Sequence, residues 1–342
     1  MSASRLSISL ILGASLFSIA CSKGGTASKD DLALVPQDTE MVIGINISRM
    51  RGTAMWKKFM DLGLAQEKSK KDYEEFNKNC VDISSADGPE SLFVALPNVT
   101  KATKDGAVII RLKAALDDAK LAKCAEYMAS KNSEKVVTSD YNGKKIYNSG
   151  SAADAEKGGL TLLDSKTIAF GSGAWLKKVI DIAAGKEPAS AKKNEVLVAL
   201  VKRAKTSDAI WGAGSVPQSV RDSFKGNPQL APMATLKDAF GSMDFASGMS
   251  LDVNLDTGSD ADAKALNDQV TTQLAEVKKS PQVMMLGLNT MIDPLKIEAK
   301  GSTFHVGVSY DQKTVDEMVT RFQGMLKGFG GGMGGPPGGM PQ

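Results

Sequence analysis

Histidine, the side chain that most often acts in acid–base catalysis, occurs only once in this chain of 342 residues, as His305. His305 lies on the polar side of the alternating segment Thr303–Tyr310, which is typical of a strand. If Lys300 and Gly301 form a two-residue turn, the register places Lys296 beside His305. A cationic neighbour is the opposite of the carboxylate that orients a catalytic base. We therefore expect no catalytic role for His305.

Other patterns for metals, phosphates or cofactors are equally weak. One histidine and widely spaced cysteines form neither a zinc site nor a redox C-x-x-C pair. The run Phe170–Gly173 precedes a helix, but it lacks both the P-loop pattern and a third glycine in dinucleotide spacing. The acidic pairs Asp117-Asp118 and Asp260/Asp262 stand at predicted helix starts, where they favour the positive end of the dipole. We expect no metal and no cofactor, while a hydrolase with carboxylates far apart in the chain stays open.

Two of the three cysteines, Cys80 and Cys124, are candidates for a disulfide. Cys124 falls on the apolar face of a helix expected over 114–130, with Leu121 and Met128 one turn away on either side. Cys80 closes a polar helical stretch. Two buried free thiols are the alternative. A disulfide over a loop of this length would contribute about 4 kcal/mol in the chain-entropy model.

The beginning of the chain combines one basic residue, Arg5, with an apolar run from Leu6 to Ala20. This layout is typical of a secretory signal peptide, and the run is shorter than the roughly 20 apolar residues of a spanning helix. The sequence Ser18–Cys21 resembles the lipobox of bacterial lipoproteins. The resemblance implies cleavage after residue 20 and a diacylglycerol lipid on Cys21. An ordinary signal peptide with an incidental cysteine is the alternative.

A lipid on Cys21 would hold the protein on a membrane, since two or more acyl chains anchor stably. Residues 22–29 are small and polar, which predicts a flexible tether. Ser22 is not the Asp that marks inner-membrane retention in enteric lipoproteins, so the resemblance implies the periplasmic face of the outer membrane. The periplasm is oxidising, which favours the disulfide.

The composition argues against nucleic acid as a partner. The 42 basic and 39 acidic residues nearly balance, and aromatic residues make up only 6% of the chain. The roughly 320 residues left after cleavage are long enough to form two domains.

Local signals predict antiparallel hairpins separated by amphipathic helices. Tyr141–Lys144 contains Asn-Gly, which supplies the positive φ angles of a type I′ turn and sets Asp140 opposite Lys145. Residues 160–163 and 167–170 predict a second hairpin. Because each helix has one apolar stripe and strands such as 295–310 alternate, we expect an α+β fold with helices mainly on one face of an antiparallel sheet.

The same order of elements returns in the second part of the chain, which predicts a duplication. Thr39–Gly44 can be aligned with Ser207–Gly212, and the strand and helix at 107–130 with those beginning at 247. The stretch GKEPASAKK, residues 185–193, is the linker candidate. The expected organisation is a signal peptide (1–20), a tether (21–30), two α+β halves (31–186 and 187–327) and a disordered Gly/Met/Pro tail (328–342).

The opening segment VPQDTEMVIGINISRMRGTAMWKKF, the lipobox and the two-cysteine layout resemble a family of uncharacterised lipoproteins from myxobacteria-like Gram-negative bacteria. The resemblance implies an envelope location and supports the Cys80–Cys124 pairing, and it transfers no activity.

These observations predict a non-enzymatic, lipid-anchored periplasmic protein that binds an unknown envelope protein or has a structural role. The first alternative is a carrier for an apolar or lipid-like ligand, for which Val283–Met291 offers an adaptable Met-rich surface. The same stretch is more typical of a core helix. The second alternative is the hydrolase with dispersed carboxylates.

Overall fold

The structure is a computed structural model that describes residues 31–64, 67–97, 105–150, 158–186, 189–226, 230–285 and 289–330. The signal peptide, the tether with Cys21 and the chain from residue 331 onward lie outside these residues. The last described helix ends at Gly330, three residues beyond residue 327, the predicted end of the second half.

An α+β fold is confirmed, and its strands form one continuous antiparallel sheet of twelve rather than two sheets. The order across the sheet is β11-β12-β10-β9-β8-β1-β2-β3-β7-β6-β5-β4, and the β1–β8 pair joins the two parts. The strands are β1 (Met41–Ile45), β2 (Pro89–Leu96), β3 (Ala107–Leu112), β4 (Val136–Tyr141), β5 (Lys144–Ser149), β6 (Gly159–Asp164), β7 (Thr167–Gly171), β8 (Ile210–Ser215), β9 (Asp238–Asp244), β10 (Gly248–Asp256), β11 (Lys296–Lys300) and β12 (Thr303–Asp311).

Helices connect the strands. They are α1 (Ile47–Met50), α2 (Ala54–Gly63), α3 (Glu67–Asn79), α4 (Asp118–Ser130), α5 (Gly173–Ala183), α6 (Glu195–Arg203), α7 (Gln218–Lys225), α8 (Asp260–Lys279), α9 (Pro281–Met285), α10 (Asn289–Ile292) and α11 (Gln312–Gly330). Short 3-10 turns lie at Asp31–Ala33, Ala191–Lys193 and Ala231–Thr235.

Side chains alternate between two faces of the sheet, which we name after one buried residue on each, the Trp211 face and the Leu92 face. Helices α5 and α6 pack on the Trp211 face, where Leu176 and Leu200 join Phe93 in one core cluster. Helices α1, α2, α4, α8 and α11 pack on the Leu92 face. The expectation of helices mainly on one face therefore holds for the C-terminal strands and fails for the central and N-terminal strands, which are covered on both.

Gly44 makes room for the largest buried side chain of the Trp211 face. Gly44 lies between Trp211 and Phe93 in one cross-strand row. A Cβ atom at this position would collide with the indole ring of Trp211. The ring centroids of Phe93 and Trp211 are 6.1 Å apart, and both side chains are buried. The absence of a side chain at Gly44 thus allows the rings of Phe93 on β2 and Trp211 on β8 to pack closely above β1.

Both hairpins predicted from local sequence are confirmed. Asn142 and Gly143 have φ angles of 48° and 76°, as a type I′ turn requires. Asp140 pairs with Lys145 across this hairpin. The second hairpin joins β6 to β7.

Helix α3 is attached to the body largely through α4. The structure joins Cys80, which follows α3, to Cys124 on α4 in a disulfide. Lys131 adds ion pairs to Asp72 and Glu75 at 2.9 and 2.8 Å. None of the side chains of α3, all of whose residues are described, is buried. The disulfide therefore holds α3 against the body, whereas the other long helices are held by burial of an apolar stripe.

The first residues of the described body are fixed to the middle of the sheet. Asp31 is only 1% exposed, and Arg111 on β3 donates to its carboxylate from Nε at 2.9 Å. Arg111 also donates from Nη1 to the hydroxyl of Thr167 on β7 at 2.8 Å. A buried carboxylate is tolerated when it is paired in this way.

The predicted linker is part of the body where the structure describes it. Ser190 pairs with Pro36 in an isolated bridge, and Ala191 is buried. Within the described ranges, no helix combines the length and the apolar character needed to cross a membrane.

The order of the strands is similar on the two sides of the β1–β8 pair. It is β1-β2-β3-β7-β6 on one side and β8-β9-β10-β12-β11 on the other. The first series has an extra hairpin, β4–β5, at its outer end. The residue alignment from sequence is nevertheless wrong in phase, because it equates Ile43 with Trp211. Ile43 pairs with Val94 on the Leu92 face, and a shift of one residue reverses the face.

Candidate functional site: a polar notch on the open sheet face

The Trp211 face is covered unevenly. Helix α6 packs on β8 and β9, whereas α8 and α11 meet β10, β11 and β12 from the Leu92 face. On the Trp211 face of these last strands the side chains are polar, and Ser250 and Ser309 are exposed. A sheet face that lacks a helix and carries polar residues is the expected solvent-facing surface of an antiparallel sheet.

One glycine turns this surface into a notch. Gly307 on β12 pairs with Asp252 on β10 and with Lys296 on β11, so it has a charged side chain on either side. With strands about 4.8 Å apart, Asp252 and Lys296 stand roughly 10 Å from one another. The open cavity above Gly307 has a volume of about 250 Å³ and is lined by Lys205, Asp208, Ser242, Ser250, Leu251, Asp252, Lys296, His305, Gly307, Val308 and Ser309.

His305 forms one wall of the notch. A Cβ atom on Gly307 would lie 3.0 Å from Cε1 of His305, so the imidazole leans over the glycine. Nε2 of His305 lies 3.6 Å from Oδ1 of Asp252, and Nδ1 lies 3.2 Å from Oε1 of Glu298. Its side chain is 21% exposed. The imidazole therefore lies between two carboxylates of neighbouring strands.

The predicted register of this hairpin is wrong. The turn consists of Gly301 and Ser302 instead of Lys300 and Gly301, and Gly301 has a φ angle of 56°. The pairing moves by two residues, so the apolar face is unchanged. The cross-strand neighbour of His305, however, becomes Glu298 instead of Lys296. The reason given from sequence for dismissing His305 therefore no longer applies.

Asp252 is held in place by two donors. Lys205 donates from Nζ to Oδ2 at 2.8 Å, and the side-chain amide of Asn254 donates to Oδ1 at 2.7 Å. Burial alone would raise the pKa of Asp252, but these hydrogen bonds and the nearby charges outweigh it and lower the pKa. The hydrogen bond to Asp252 also raises the pKa of Lys205. Both groups are charged at neutral pH and already oriented.

The same arrangement repeats four residues along β10. Arg203, the last residue of α6, donates from Nη2 to Oδ1 of Asp256 at 2.9 Å. Its guanidinium carbon lies 4.1 Å from the centroid of the Phe240 ring. Burial would raise the pKa of Asp256, and the bonds from Arg203 and Thr303 reverse this and lower it. Arg203 at the end of α6 and Lys205 two residues beyond it thus border the open face with two ion pairs.

Glu298 is oriented from the other side by Lys300, which donates to its Oε1 at 2.7 Å. This hydrogen bond lowers the pKa of Glu298. Lys296, the other lysine of β11, is exposed at the open end of the notch. The floor therefore presents alternating acceptors and donors.

Acid–base catalysis is a poor match to this arrangement. A catalytic histidine directs one nitrogen to a carboxylate and the other to a nucleophile or substrate. Both nitrogens of His305 face carboxylates. A glycosidase acid needs a raised pKa. Asp252 and Glu298 have lowered ones.

Other candidate residues lie away from the notch and have structural partners. Asp117 caps α4 by accepting from the backbone N–H of Lys120 at 2.7 Å. Asp262 belongs to the start of α8, where Ser259 is the capping residue. The run at 170–173 is the turn from β7 into α5. The Met-rich stretch forms the short helices α9 and α10, between which residues 286–288 lie outside the described residues.

The described residues hold no cluster of three or more His, Cys, Asp or Glu suited to a metal ion. Sequence reasoning missed Lys205, Asp252 and Glu298. The available signal was the polar alternation Ser250, Asp252, Asn254, Asp256 in β10, which marks an uncovered face.

The chain is similar in structure to TP0453. Crystal form III of TP0453 gives a TM-score of 0.45 at 11% identity, covering 86% of this chain and 99% of that one. Crystal form I gives 0.42 at 10% identity over 86% and 98%, and crystal form IV gives 0.45 at 10% over 84% and 96%. At these TM-scores the likeness gives no information on the role of the chain. No protein-family model matches the chain, and no curated protein matches it.

Proposed function

We propose that the protein is a lipid-anchored component of the bacterial envelope that binds a polar partner in the notch around Gly307 and is not an enzyme. The observation that carries this proposal is the Trp211 face of β10, β12 and β11, which no described helix covers. Its Asp252, Asp256 and Glu298 are oriented by neighbours before any partner arrives. Groups that are already oriented lose little conformational freedom on binding.

The envelope location is supported by the sequence Ser18–Cys21 and by the resemblance to uncharacterised lipoproteins. The disulfide between Cys80 and Cys124 is consistent with an oxidising compartment. The periplasmic face of the outer membrane is proposed because Ser22 follows the cysteine.

Replacing Cys21 with Ala tests the proposed lipid anchor and membrane location. Without the thiol no lipid can be attached, so the variant should accumulate as a precursor or leave the membrane fraction. Fractionation followed by mass spectrometry of the N-terminus measures both. Mature, membrane-bound C21A protein would overturn the proposed anchor.

A photo-crosslinking residue at Ser309 tests the proposed role of the notch in native envelopes. Ser309 is exposed and lines the notch, whereas Thr138 on edge strand β4 is exposed and far from it in the strand order. We expect an adduct from position 309 that disappears when Lys296 is replaced with Ala, and no such adduct from position 138. Identical adducts from both positions, or none from 309, would contradict the proposal.

A carrier of apolar ligands is the second candidate, and one observation favours it. Phe170 on β7 is 44% exposed on the Leu92 face. Its cross-strand neighbours Val108 and Leu160 are only partly buried. Binding of a fluorescent fatty acid by the protein that is lost in Phe170→Asp would favour this candidate.

We also propose that the described body arose from two related halves. The matching strand orders support this proposal, although the residue alignment needs a new phase. Separate superposition of 31–186 and 189–327 would reject it if the matched strands did not overlie.

A further inference from the structure

We infer that the notch around Gly307 accepts one unit of an uncharged saccharide chain. This inference rests on the proposed function, which assigns no chemistry to the partner beyond polarity. It depends on the balance of charge in the notch, on the shape of its floor and on the groups that line it.

The charges that line the notch balance, so the notch favours neither an anionic nor a cationic ligand. Two lysines, Lys205 and Lys296, are matched by two aspartates, Asp208 and Asp252. Lys205 is already paired with Asp252. A strongly anionic ligand would meet these carboxylates, and a cation would meet the lysines. A neutral ligand avoids both repulsions.

Sugar hydroxyl groups donate and accept hydrogen bonds, so they need both kinds of partner in alternation. The notch offers this alternation. The carboxylate of Asp252 accepts, Lys296 donates, and the exposed hydroxyls of Ser250 and Ser309 do either. Hydrogen bonds to charged groups are the stronger ones, which compensates for an open, wet site.

The floor and wall suit the flat side of a sugar ring. Gly307 removes one side chain from the middle of the row, and the imidazole of His305 leans over it. The volume of about 250 Å³ is smaller than the roughly 300–1,000 Å³ typical of sites that enclose a small molecule. An open notch of this size holds a single unit of a longer chain.

Isothermal titration calorimetry on the full mature protein, in a detergent without a sugar headgroup, tests the inference. The probes are a β-1,4-linked tetrasaccharide of N-acetylglucosamine, maltotetraose and sodium phosphate. We expect one tetrasaccharide to bind at a ratio of one to one and phosphate not to displace it. Lys296→Ala should weaken that binding roughly tenfold, as loss of a hydrogen bond to a charged group does.

Lys145→Ala is the matched control, since Lys145 is also an exposed lysine on a strand but lies on β5, far from the notch in the strand order and outside its lining. It should leave the affinity unchanged. Gly307→Ala, which pushes on the ring of His305, should weaken binding, with circular dichroism reporting that the fold is retained.

Absence of binding by both tetrasaccharides, displacement by phosphate, or equal losses in K296A and K145A would each overturn the inference. If crosslinking at Ser309 still depends on Lys296 in such a case, the proposed function stands and only the saccharide is wrong. If crosslinking fails as well, both fall.

Discussion

One cross-strand row of the Trp211 face contains both a packed core and an open polar surface. In its central part Phe93 and Trp211 fill the space above Gly44 and are sealed by helices. In its C-terminal part the row continues through Ser242 to Asp252 and ends at Gly307 and Lys296, without a helix above β10 to β12 in the described residues. A glycine lies in both parts. Under cover it admits an indole, and in the open it leaves a notch.

The last helix of each strand series accounts for the difference. Helix α5 follows β7 and packs on the Trp211 face, whereas α11 follows β12 and packs on the Leu92 face. Val315 of α11 is buried beside Tyr310 there. The choice of face by one helix therefore decides which strands keep an open surface.

The largest effect is expected from Trp211→Ala. The indole is 1% exposed, and removing such a side chain from a core costs about 3–5 kcal/mol. Urea denaturation followed by circular dichroism measures the loss in unfolding free energy. A loss below about 1 kcal/mol would mean that the covered part of the row is not a packed core.

Matched glycine substitutions sharpen the comparison. Gly44→Ala places a methyl group against the buried indole of Trp211, so it should cost about 1–3 kcal/mol or more. Gly307→Ala meets the ring of His305, which is partly exposed and can turn away, so its cost should stay under about 1 kcal/mol. Equal losses of unfolding free energy would contradict the distinction between the covered and open parts.

Acid should affect the border of the open face. Hydrogen bonds and charges hold the pKa of Asp256 below its ordinary value despite burial. A lowered folded-state pKa means that the stabilisation is complete above the ordinary Asp pKa of about 3.9 and is lost as the pH falls below it. Asp256→Asn should therefore cost about 1 kcal/mol at pH 7 and progressively less below pH 4. A cost that does not change with pH would show that the ion pair with Arg203 is not its source.

The smallest effect on stability is expected from Lys296→Ala. Lys296 is exposed, and surface substitutions usually change the unfolding free energy by less than about 0.5 kcal/mol. Thermal and urea unfolding should match those of the unmodified protein. A clear loss would indicate that this end of the row is part of the fold rather than a surface.

Local signals were sufficient for much of the fold. The Asn142-Gly143 turn and the burial of Cys124 depend on neighbours in sequence, and both were predictable. The turn at 301–302 was not, because two adjacent dipeptides contain Gly301 and both keep the apolar faces aligned. That ambiguity left unresolved whether His305 meets a lysine or a glutamate.

The candidate site was hidden for a different reason. Asp252, Lys205 and His305 come from separate elements, and only the long-range order of the sheet brings them together. The sequence of α11 has an apolar stripe that suits either face, so it does not indicate that the Trp211 face stays open.

The ion pair between Asp31 and Arg111 gives the proposed anchor a mechanical meaning. Nine residues lie between Cys21 and Asp31, and the ten Cα–Cα steps that join them reach about 35 Å at full extension. Arg111 lies on β3, an interior strand, so a pull on the lipid would load the middle of the sheet rather than peel an edge. The proposed anchor would therefore keep Asp31 within about 35 Å of the lipid-bearing residue and transmit tension to the interior of the sheet.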